Sequence, residues 1–297
     1  MKSLVERITR TIKLRLEIVR RFFPLLFRPL SSEDLEEAIK GLTRFYRLDL
    51  LDVAHKAMGI GISYHFPHSG ERFMLQNILP KYIRHPEPTF FDVGANVGDY
   101  SKELSLQFPK STIYAFEPNQ ETFAVAQKNL VSSNVHCYHL GLGAEPSQAT
   151  IYTYAEEKIS GHASLYKDVF LDLHKSTVLE QMNFQITTLD DFCAAHEINY
   201  IDFMKIDTEG HELEVLKGGS RMLREQRLGI IQFEFNSMHV ISRAFLRDFY
   251  RLLDSYEMYR LDTDRLIPLF EYDTANEIFK YQNWLAISKS LSTGGGE

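Results

Sequence analysis

Short apolar runs alternate with amphipathic segments over most of residues 89–287, and this alternation predicts the fold. Five runs are rich in β-branched and aromatic residues: 89–93 (TFFDV), 111–116 (STIYAF), 135–140 (VHCYHL), 201–206 (IDFMKI) and 229–235 (GIIQFEF). The segments YSKELSLQF, ETFAVAQKNL and ELEVLKGGSRMLREQ between them have the apolar spacing of helices. Near-continuous apolar strands separated by helices predict an α/β fold with a mostly parallel sheet and helices on both faces.

Two stretches depart from this alternation. Residues 148–155 (QATIYTYA) follow the third run directly and are predicted to be its hairpin partner. Residues 156–181 are long and polar, which predicts an active-site lid or a disordered loop. Beyond the fifth strand, residues 257–261 (EMYRL) and 281–287 (YQNWLAI) are predicted to form the last two strands.

The first thirty residues differ in charge from the rest of the chain. They contain eight Lys or Arg but only Glu6 and Glu17, although the whole chain carries a net charge of −7. Their apolar positions fit a basic amphipathic helix on an anionic membrane surface, or a helix packed on the body or on a second subunit of a homodimer. A further helix is predicted from Ser32, taken as its N-cap. We therefore predict a helical extension over 1–69, a domain over 70–290 and a disordered tail over 291–297.

Bulk composition narrows the class of protein. Hydrophobic residues make up 44% and charged residues 25% of the chain, as in ordinary globular proteins. Cys137 and Cys193 lie in apolar runs and are predicted to be reduced core thiols, which indicates a cytoplasmic protein, at most peripheral at the inner membrane surface. No apolar run approaches the roughly 20 residues that span a bilayer. The acidic body argues against a nucleic-acid partner.

The stretch FDVGANVGDY predicts a cofactor-binding turn between the first strand and its helix. Gly94 and Gly98 allow a tight turn and close helix packing, and Asn96 is one of the few other residues that tolerate a positive φ. Glu117 ends the second strand, where an acid typically accepts hydrogen bonds from ribose hydroxyls. Asp92 would repel a pyrophosphate but suits an ammonium group. S-adenosylmethionine has an amino group, a carboxylate and a ribose, and no phosphate.

A second charged cluster, IDFMKIDTEGHELEVLKGG, spans residues 201–219. Lys205, Asp207 and Glu209 lie at the carboxyl end of a predicted buried strand, where open α/β sheets bind their ligands. The alternative is a charged helix cap. Lys205 argues against that alternative, because a lysine inside a buried strand needs a carboxylate partner.

The motifs FFDVGANVGDYS, FEPN and KIDTEGHELEVLKG, in this order, resemble those of the FkbM family of S-adenosylmethionine-dependent methyltransferases. The resemblance covers residues 70–287. It implies a class I methyltransferase (Rossmann-like) fold, with seven strands of which the last is antiparallel, and O-methylation of hydroxyls on sugars, glycolipids or secondary metabolites. It also implies a cofactor site made by the turn, the helix start, the ribose acid and an adenine neighbour: Asp92, Gly94, Ala95, Asn96, Gly98, Tyr100, Ser101, Glu117 and Leu142.

The resemblance further implies that Asp207 stands between cofactor and acceptor, and that Lys205 and Glu209 order it. A sugar hydroxyl gains from a general base, and Asp207 and Glu209 are the first candidates. His211 and His162 are rivals, and His162 belongs to the segment 160–165 (SGHASL), which loosely resembles an acceptor-side stretch of the family. Asp207, Glu234 and Asn236 could alternatively hold Mg²⁺ for a diol acceptor.

The preferred interpretation is thus an O-methyltransferase that uses S-adenosylmethionine. Two other functions stay open from the sequence. A nicotinamide-dependent oxidoreductase is opposed by Asp92 and by the missing pyrophosphate fingerprint. A non-catalytic cofactor-binding module that docks through the N-terminal helices is opposed by the intact KIDTEG cluster.

Overall fold

A computed structural model of the chain describes residues 31–63, 68–154, 163–176 and 179–292. The basic segment 1–30, His162 and residues 293–297 lie outside these ranges. The chain divides between Ala57 and Met58 into two compact units, earlier than the predicted boundary at residue 69.

The first unit contains helices α1 (Ser32–Tyr46) and α2 (Leu50–Ala57). The cap of α1 is Ser31 and not Ser32, because the Ser31 hydroxyl accepts from the Asp34 N–H while the Asp34 carboxylate accepts from the Ser31 N–H. Several large apolar side chains of this unit are exposed, among them Leu35, Phe45 and Leu51.

The second unit is built on an eight-stranded sheet. Its strands are β1 (Thr89–Val93), β2 (Thr112–Phe116), β3 (Val135–Tyr138), β7 (Ile201–Ile206), β8 (Leu228–Phe235), β9 (Tyr256–Leu261), β10 (Leu266–Pro268) and β11 (Gln282–Ser288). They lie in the order β10-β9-β11-β8-β7-β1-β2-β3. As predicted, β1, β2, β3, β7 and β8 pair in parallel and β11 runs antiparallel to both neighbours. The eighth strand is the short edge strand β10, which sequence reasoning missed.

Helices cover both faces of this sheet. They are α3 (Glu71–Phe73), a π-helical turn (Met74–Ile78), α4 (Leu79–Tyr82), α5 (Asp99–Gln107), α6 (Gln120–Asn129), α7 (Leu189–Ala195), α8 (Glu212–Lys217), α9 (Ser220–Arg224), α10 (Met238–Ser242), α11 (Leu246–Leu252) and α12 (Lys289–Ser292). The predicted tail therefore begins inside α12. Within the described ranges, no helix is long and apolar enough to cross a membrane.

Alternate residues of each central strand bury opposite faces of the sheet, which explains the continuous apolar runs. Phe91, Met204 and Phe233 pack into one core cluster. Phe90, Phe203 and Ile230 pack into the other.

A separate small sheet has the order β4 (Gly141–Leu142), β6 (Leu179–Thr187), β5 (Ser147–Tyr154). The predicted pairing of residues 148–155 with the third strand is wrong, because β5 pairs antiparallel with β6 along its whole length. The predicted lid or disordered loop over 156–181 is too long. This range contains a π-helical turn (Val169–Leu173) and the first residues of β6. Within this stretch, residues 156–162 and 177–178 lie outside the described residues.

Candidate active site

A cleft opens at the carboxyl edge of the main sheet, between that edge and the small sheet. Gly94, Asn96, Glu117, Asp207 and Glu209 line it from the main sheet. Its apolar wall is formed by residues of the small sheet and the loops near it: Leu140, Leu142, Ile151, Ala163, Leu165 and Phe184. The two charged motifs, more than a hundred residues apart in the chain, thus meet at one site.

The glycine turn has the backbone that the sequence predicts. The φ angles of Gly94, Asn96 and Gly98 are 85°, 48° and 88°. A Cβ on Gly94 would lie 1.8 Å from the carbonyl oxygen of Asp207, so only glycine lets the two loops approach this closely. The N–H groups of Gly94 and Ala95 donate to the Phe116 carbonyl. The Ala95 side chain is buried and does not line the cleft.

We expect Gly94→Ala to cost about 2 kcal/mol or more of unfolding free energy, from the positive φ and the clash together. It should also weaken S-adenosylhomocysteine binding at least tenfold, because the loop after β1 must move away from the loop after β7, where Asp207 lies. Denaturant unfolding and calorimetry measure the two effects. Gly59→Ala is the matched control: Gly59 also has a positive φ, but its added Cβ would meet nothing closer than 3.4 Å. Equal binding by the Gly94 variant and the wild type would contradict this account of the turn.

Asp92 is completely buried below the turn. Its Oδ2 accepts a 2.6 Å hydrogen bond from the Ser101 hydroxyl. Its Oδ1 is buried and has no hydrogen-bond partner among the described residues. Burial raises the pKa of this carboxyl, against the opposing effects of Lys205 and the Ser101 hydroxyl. A buried oxygen without a donor is costly, and a nearby cation would stabilise it. Asp92 and Gly98 do not themselves line the cleft, whose wall on this side begins at Val93 and Gly94.

Glu117 receives two backbone donors. The Asn96 N–H donates to Oε2 over 2.9 Å, and the Asn119 N–H donates to Oε1 over 2.8 Å. These bonds fix the carboxyl at the cleft wall. Burial raises its pKa to about 7, although both N–H groups lower it.

This pKa predicts a pH dependence that can be assigned to one residue. A carboxyl whose pKa is raised on folding stabilises the protein below its ordinary pKa, and the contribution is lost as pH rises through about 7. Ionisation of Glu117 should thus cost up to about 3 kcal/mol between pH 5 and pH 8. Glu117→Gln should remove that part of the pH dependence in urea unfolding, whereas Glu145→Gln, at an exposed position, should not. Parallel pH profiles of all three proteins would contradict the prediction.

Lys205 is the cation of a buried network. Its Nζ lies 2.7 Å from Asp207 Oδ2 and 3.8 Å from Glu71 Oε1. It also stands 4.9 Å from the centroid of the Tyr100 ring. Burial alone would lower the pKa of this ammonium, but Asp207, Glu71 and Asp92 raise it well above its ordinary value. Lys205 is therefore charged and holds Asp207 in place.

Strand register explains how the network forms. Asp92 pairs with Lys205 across β1 and β7, and Lys205 pairs with Gln232 across β7 and β8. The three side chains lie in one row on the same face. Helix α5 covers this row with Tyr100, whose hydroxyl donates to Gln232 Oε1 over 3.2 Å. Tyr100 and Ser101 thus support the charged row from behind and do not line the cleft.

Glu71 and Gln232 belong to the site although the sequence analysis did not identify them. The Gln232 amide donates to Glu71 Oε1 over 3.3 Å, and the Ser69 hydroxyl donates to Glu71 Oε2 over 2.8 Å. Glu71 precedes the first strand, and Gln232 is hidden in an apolar run. Gln232 could have been found as a polar residue in the run 229–235, which was predicted to be a buried strand. Glu71 had no such signal in the sequence.

The loop after β7 is shaped by Glu212. Its carboxylate accepts from the Thr208 and Gly210 N–H groups and lies 3.0 Å from the Nε2 atom of His239. The Asn236 N–H donates to Nδ1 of His239, which leaves Nε2 facing Glu212 at ion-pair distance, although no hydrogen bond joins the two atoms. Burial tends to raise the pKa of Glu212, but His239 and the backbone donors lower it overall. This pair holds Glu209 at a φ of 55°.

The rival bases occupy different places. His211 lines the cleft, with Nδ1 3.3 Å from the Tyr166 hydroxyl, and burial lowers its pKa. His211 is half-buried, and within the described ranges it forms no hydrogen bond or ion pair with Lys205. His162 lies outside the described residues, as do two other residues of the segment 160–165.

The alternative magnesium site is not supported by its geometry. Asn236 uses Oδ1 to accept from the Met238 N–H and Nδ2 to donate to Glu234 over 3.2 Å. Burial and the neighbouring Asp207 and Glu209 raise the pKa of Glu234 well above its ordinary value. Within the described ranges, no three His, Cys, Asp or Glu side chains are grouped to hold a metal ion.

Residues 92–257 match the Methyltransferase FkbM domain. The chain belongs to the FkbM methyltransferase family. Methyltransferase 1 of Beauveria bassiana is 28% identical over 149 residues, which are 45% of this chain and 59% of that protein. Hexuronic acid methyltransferase AglP of Haloferax volcanii is 26% identical over 55% of this chain and 62% of its own length. The 2-O-methyltransferase NoeI of Sinorhizobium fredii is 22% identical over 59% and 75%.

This chain therefore spans about three fifths of the first two relatives, at 59% and 62% of their lengths. The predicted FkbM family and class I methyltransferase fold are confirmed. Membership of this family argues against the nicotinamide-dependent oxidoreductase that the sequence left open. The matched region begins at Asp92, so Glu71 is a residue of the site that lies outside it.

Proposed function

We propose that the protein transfers a methyl group from S-adenosylmethionine to a hydroxyl of a sugar, a glycolipid or a secondary metabolite. The observation that carries the proposal is that the Asp207–Lys205 pair lies beside the glycine turn of the cleft. Asp207, held by Lys205, borders the glycine turn, and beneath that turn lies an unpartnered buried oxygen of Asp92.

The charge of the site supports a cationic ligand. Lys205 lies among four carboxyl groups, those of Asp92, Asp207, Glu71 and Glu234. Burial raises the pKa of Asp92, Glu71 and Glu234, and the charge of Lys205 opposes this rise in each of the three. S-adenosylmethionine carries an ammonium and a sulfonium against one carboxylate. Asp92 would bind the ammonium, Glu117 the ribose hydroxyls, and Leu142 would flank the adenine.

When bound, S-adenosylmethionine supplies an electrophilic methyl group on a good leaving group, so the protein chiefly aligns the acceptor. Asp207 accepts the proton of the acceptor hydroxyl. Lys205 donates a hydrogen bond to Oδ2 of Asp207 and so holds this carboxylate at the cleft. The apolar wall of Leu165, Ile151 and Phe184 excludes water from the cleft.

The names of two relatives favour oxygen as the acceptor atom. One is a hexuronic acid methyltransferase and another a 2-O-methyltransferase. Calorimetry should detect binding of S-adenosylhomocysteine and none of NAD. Incubation with radiolabelled S-adenosylmethionine and fractionated lipid, polysaccharide and small-molecule extracts should label one fraction. Failure to bind S-adenosylhomocysteine would refute the proposal.

We also propose peripheral membrane contact through the basic segment 1–30. Its charge and the exposed apolar side chains of α1 and α2, such as Leu51 at 63% exposure, suit an anionic lipid surface. Deletion of residues 1–30 should abolish co-sedimentation with phosphatidylglycerol vesicles, and phosphatidylcholine vesicles serve as the control. Unchanged co-sedimentation would contradict membrane contact. A change of molecular mass in light scattering instead would assign the segment to a subunit interface.

A further inference from the structure

A second depression, here called the outer groove, runs between helices α8 and α11. Its charged and hydroxyl-bearing lining residues include Glu214, Lys217, Ser242, Arg243, Asp248 and Arg251. The outer groove shares a wall with the active-site cleft. Gly210 and Tyr166 line the groove, whereas their neighbours Glu209, His211 and Leu165 line the cleft. A ligand longer than one sugar unit could occupy both.

Cations exceed anions in the outer groove. Lys217 is paired with Glu214 at 2.6 Å, and Asp248 accepts from the Phe245 N–H at the start of α11. Arg243 and Arg251 are exposed, and neither forms an ion pair or side-chain hydrogen bond with any part of the chain that the structure describes. Two guanidinium groups without carboxylate partners thus face the same groove.

The groove wall contains a further polar atom in need of a partner. The Ser242 hydroxyl is buried and forms no hydrogen bond within the described ranges. Its neighbour Arg243 has a φ of 57°, an uncommon backbone conformation for arginine. Buried hydroxyls are nearly always hydrogen-bonded, so this one indicates a place for a ligand or a water molecule.

We propose that the outer groove binds the carboxylate or phosphate groups of an extended acceptor, next to the sugar unit that is methylated. This inference rests on the proposed methyl transfer and narrows its substrate class to anionic glycans or glycolipids. Guanidinium groups bind carboxylate and phosphate through paired hydrogen bonds.

Calorimetry on the full chain tests the groove with three oligosaccharides. The probes are tetragalacturonate, a phosphorylated mannose oligosaccharide, and tetragalactose as the neutral counterpart. We expect at least one charged probe to bind about tenfold or more tightly than tetragalactose, since a single good charged contact can change an affinity by about that factor. The double variant Arg243→Gln/Arg251→Gln should lose this preference. Arg224→Gln, an exposed arginine of α9 outside the groove, should retain it.

Equal binding of charged and neutral probes, no binding of either charged probe, or unchanged binding by the double variant would each overturn the inference. Which charged probe binds distinguishes a carboxylate from a phosphate source. S-adenosylhomocysteine binding, measured on the same samples, should be equal in the wild type and the double variant. If the wild type does not bind S-adenosylhomocysteine, the methyltransferase function is refuted. The test of the groove still stands, because the oligosaccharides are titrated both with and without this ligand.

Discussion

Asp207→Asn should lower kcat about 10²- to 10⁴-fold, the range that general base catalysis contributes. The variant keeps the shape of the side chain and an oxygen for Lys205, but it can no longer accept the acceptor proton. Single-turnover transfer of a radiolabelled methyl group to the accepting fraction measures the loss. S-adenosylhomocysteine binding should change by no more than about threefold, because Asp92 and Glu117 are intact.

The matched comparison is Glu209→Gln, which removes the other candidate carboxylate from the same loop. If Asp207 is the base, the Glu209 variant keeps a measurable pH-dependent rate while the Asp207 variant does not. Full activity of Asp207→Asn would remove Asp207 from the base role. If both variants keep full activity, neither carboxylate is the base, and His211 and His162 become the candidates.

Lys205→Met should destabilise the protein by about 3–5 kcal/mol at pH 7, since it leaves several buried carboxylates without their cation. Asp207 is 2.7 Å from the Lys205 ammonium and Glu71 is 3.8 Å from it. The pKa of Asp92 is also lowered by this lysine, against the effect of burial. The loss should shrink toward pH 5, where these carboxyls can take up protons. Urea unfolding at both pH values measures it.

Lys217→Met provides the control for this experiment. Lys217 also has a 2.6 Å ion pair, to Glu214, but its side chain is 48% exposed, and the substitution should cost no more than about 1 kcal/mol. If Lys205→Met proves too unstable to purify, Lys205→Met/Glu71→Gln should recover part of the stability. Equal losses for the two lysine variants would contradict the buried network.

The main sheet was predictable because its strands are buried on both faces. Runs such as 89–93 and 201–206 are therefore apolar almost throughout. The small sheet was not predictable in this way. Strand β6 carries Glu180, Gln181 and Gln185 among its apolar residues and resembles a polar loop in sequence. Its partner β5 was assigned to the nearest strand, whereas its true partner follows across a long connection.

In the site, the positive φ at Asn96 and the acid at Glu117 could be predicted, because the turn and the strand end each leave a local signature. The role of Glu71 could not, since its contact with Lys205 depends on how the chain packs far from either motif. The position of Tyr100 depends on register: it faces Gln232 and Lys205 behind the row of charges, not the cleft.

The small sheet has a consequence for how acceptor preference can change. Its strands β5 and β6 hold each other through eight residue pairs, and the chain between Tyr154 and Leu179 is a connection attached to that ladder. Ala163 and Leu165 of the connection line the cleft, while no strand of the main sheet depends on its length. Insertions, deletions or grafts in this connection would thus alter what enters the cleft without disturbing the register that positions Asp92 and Asp207.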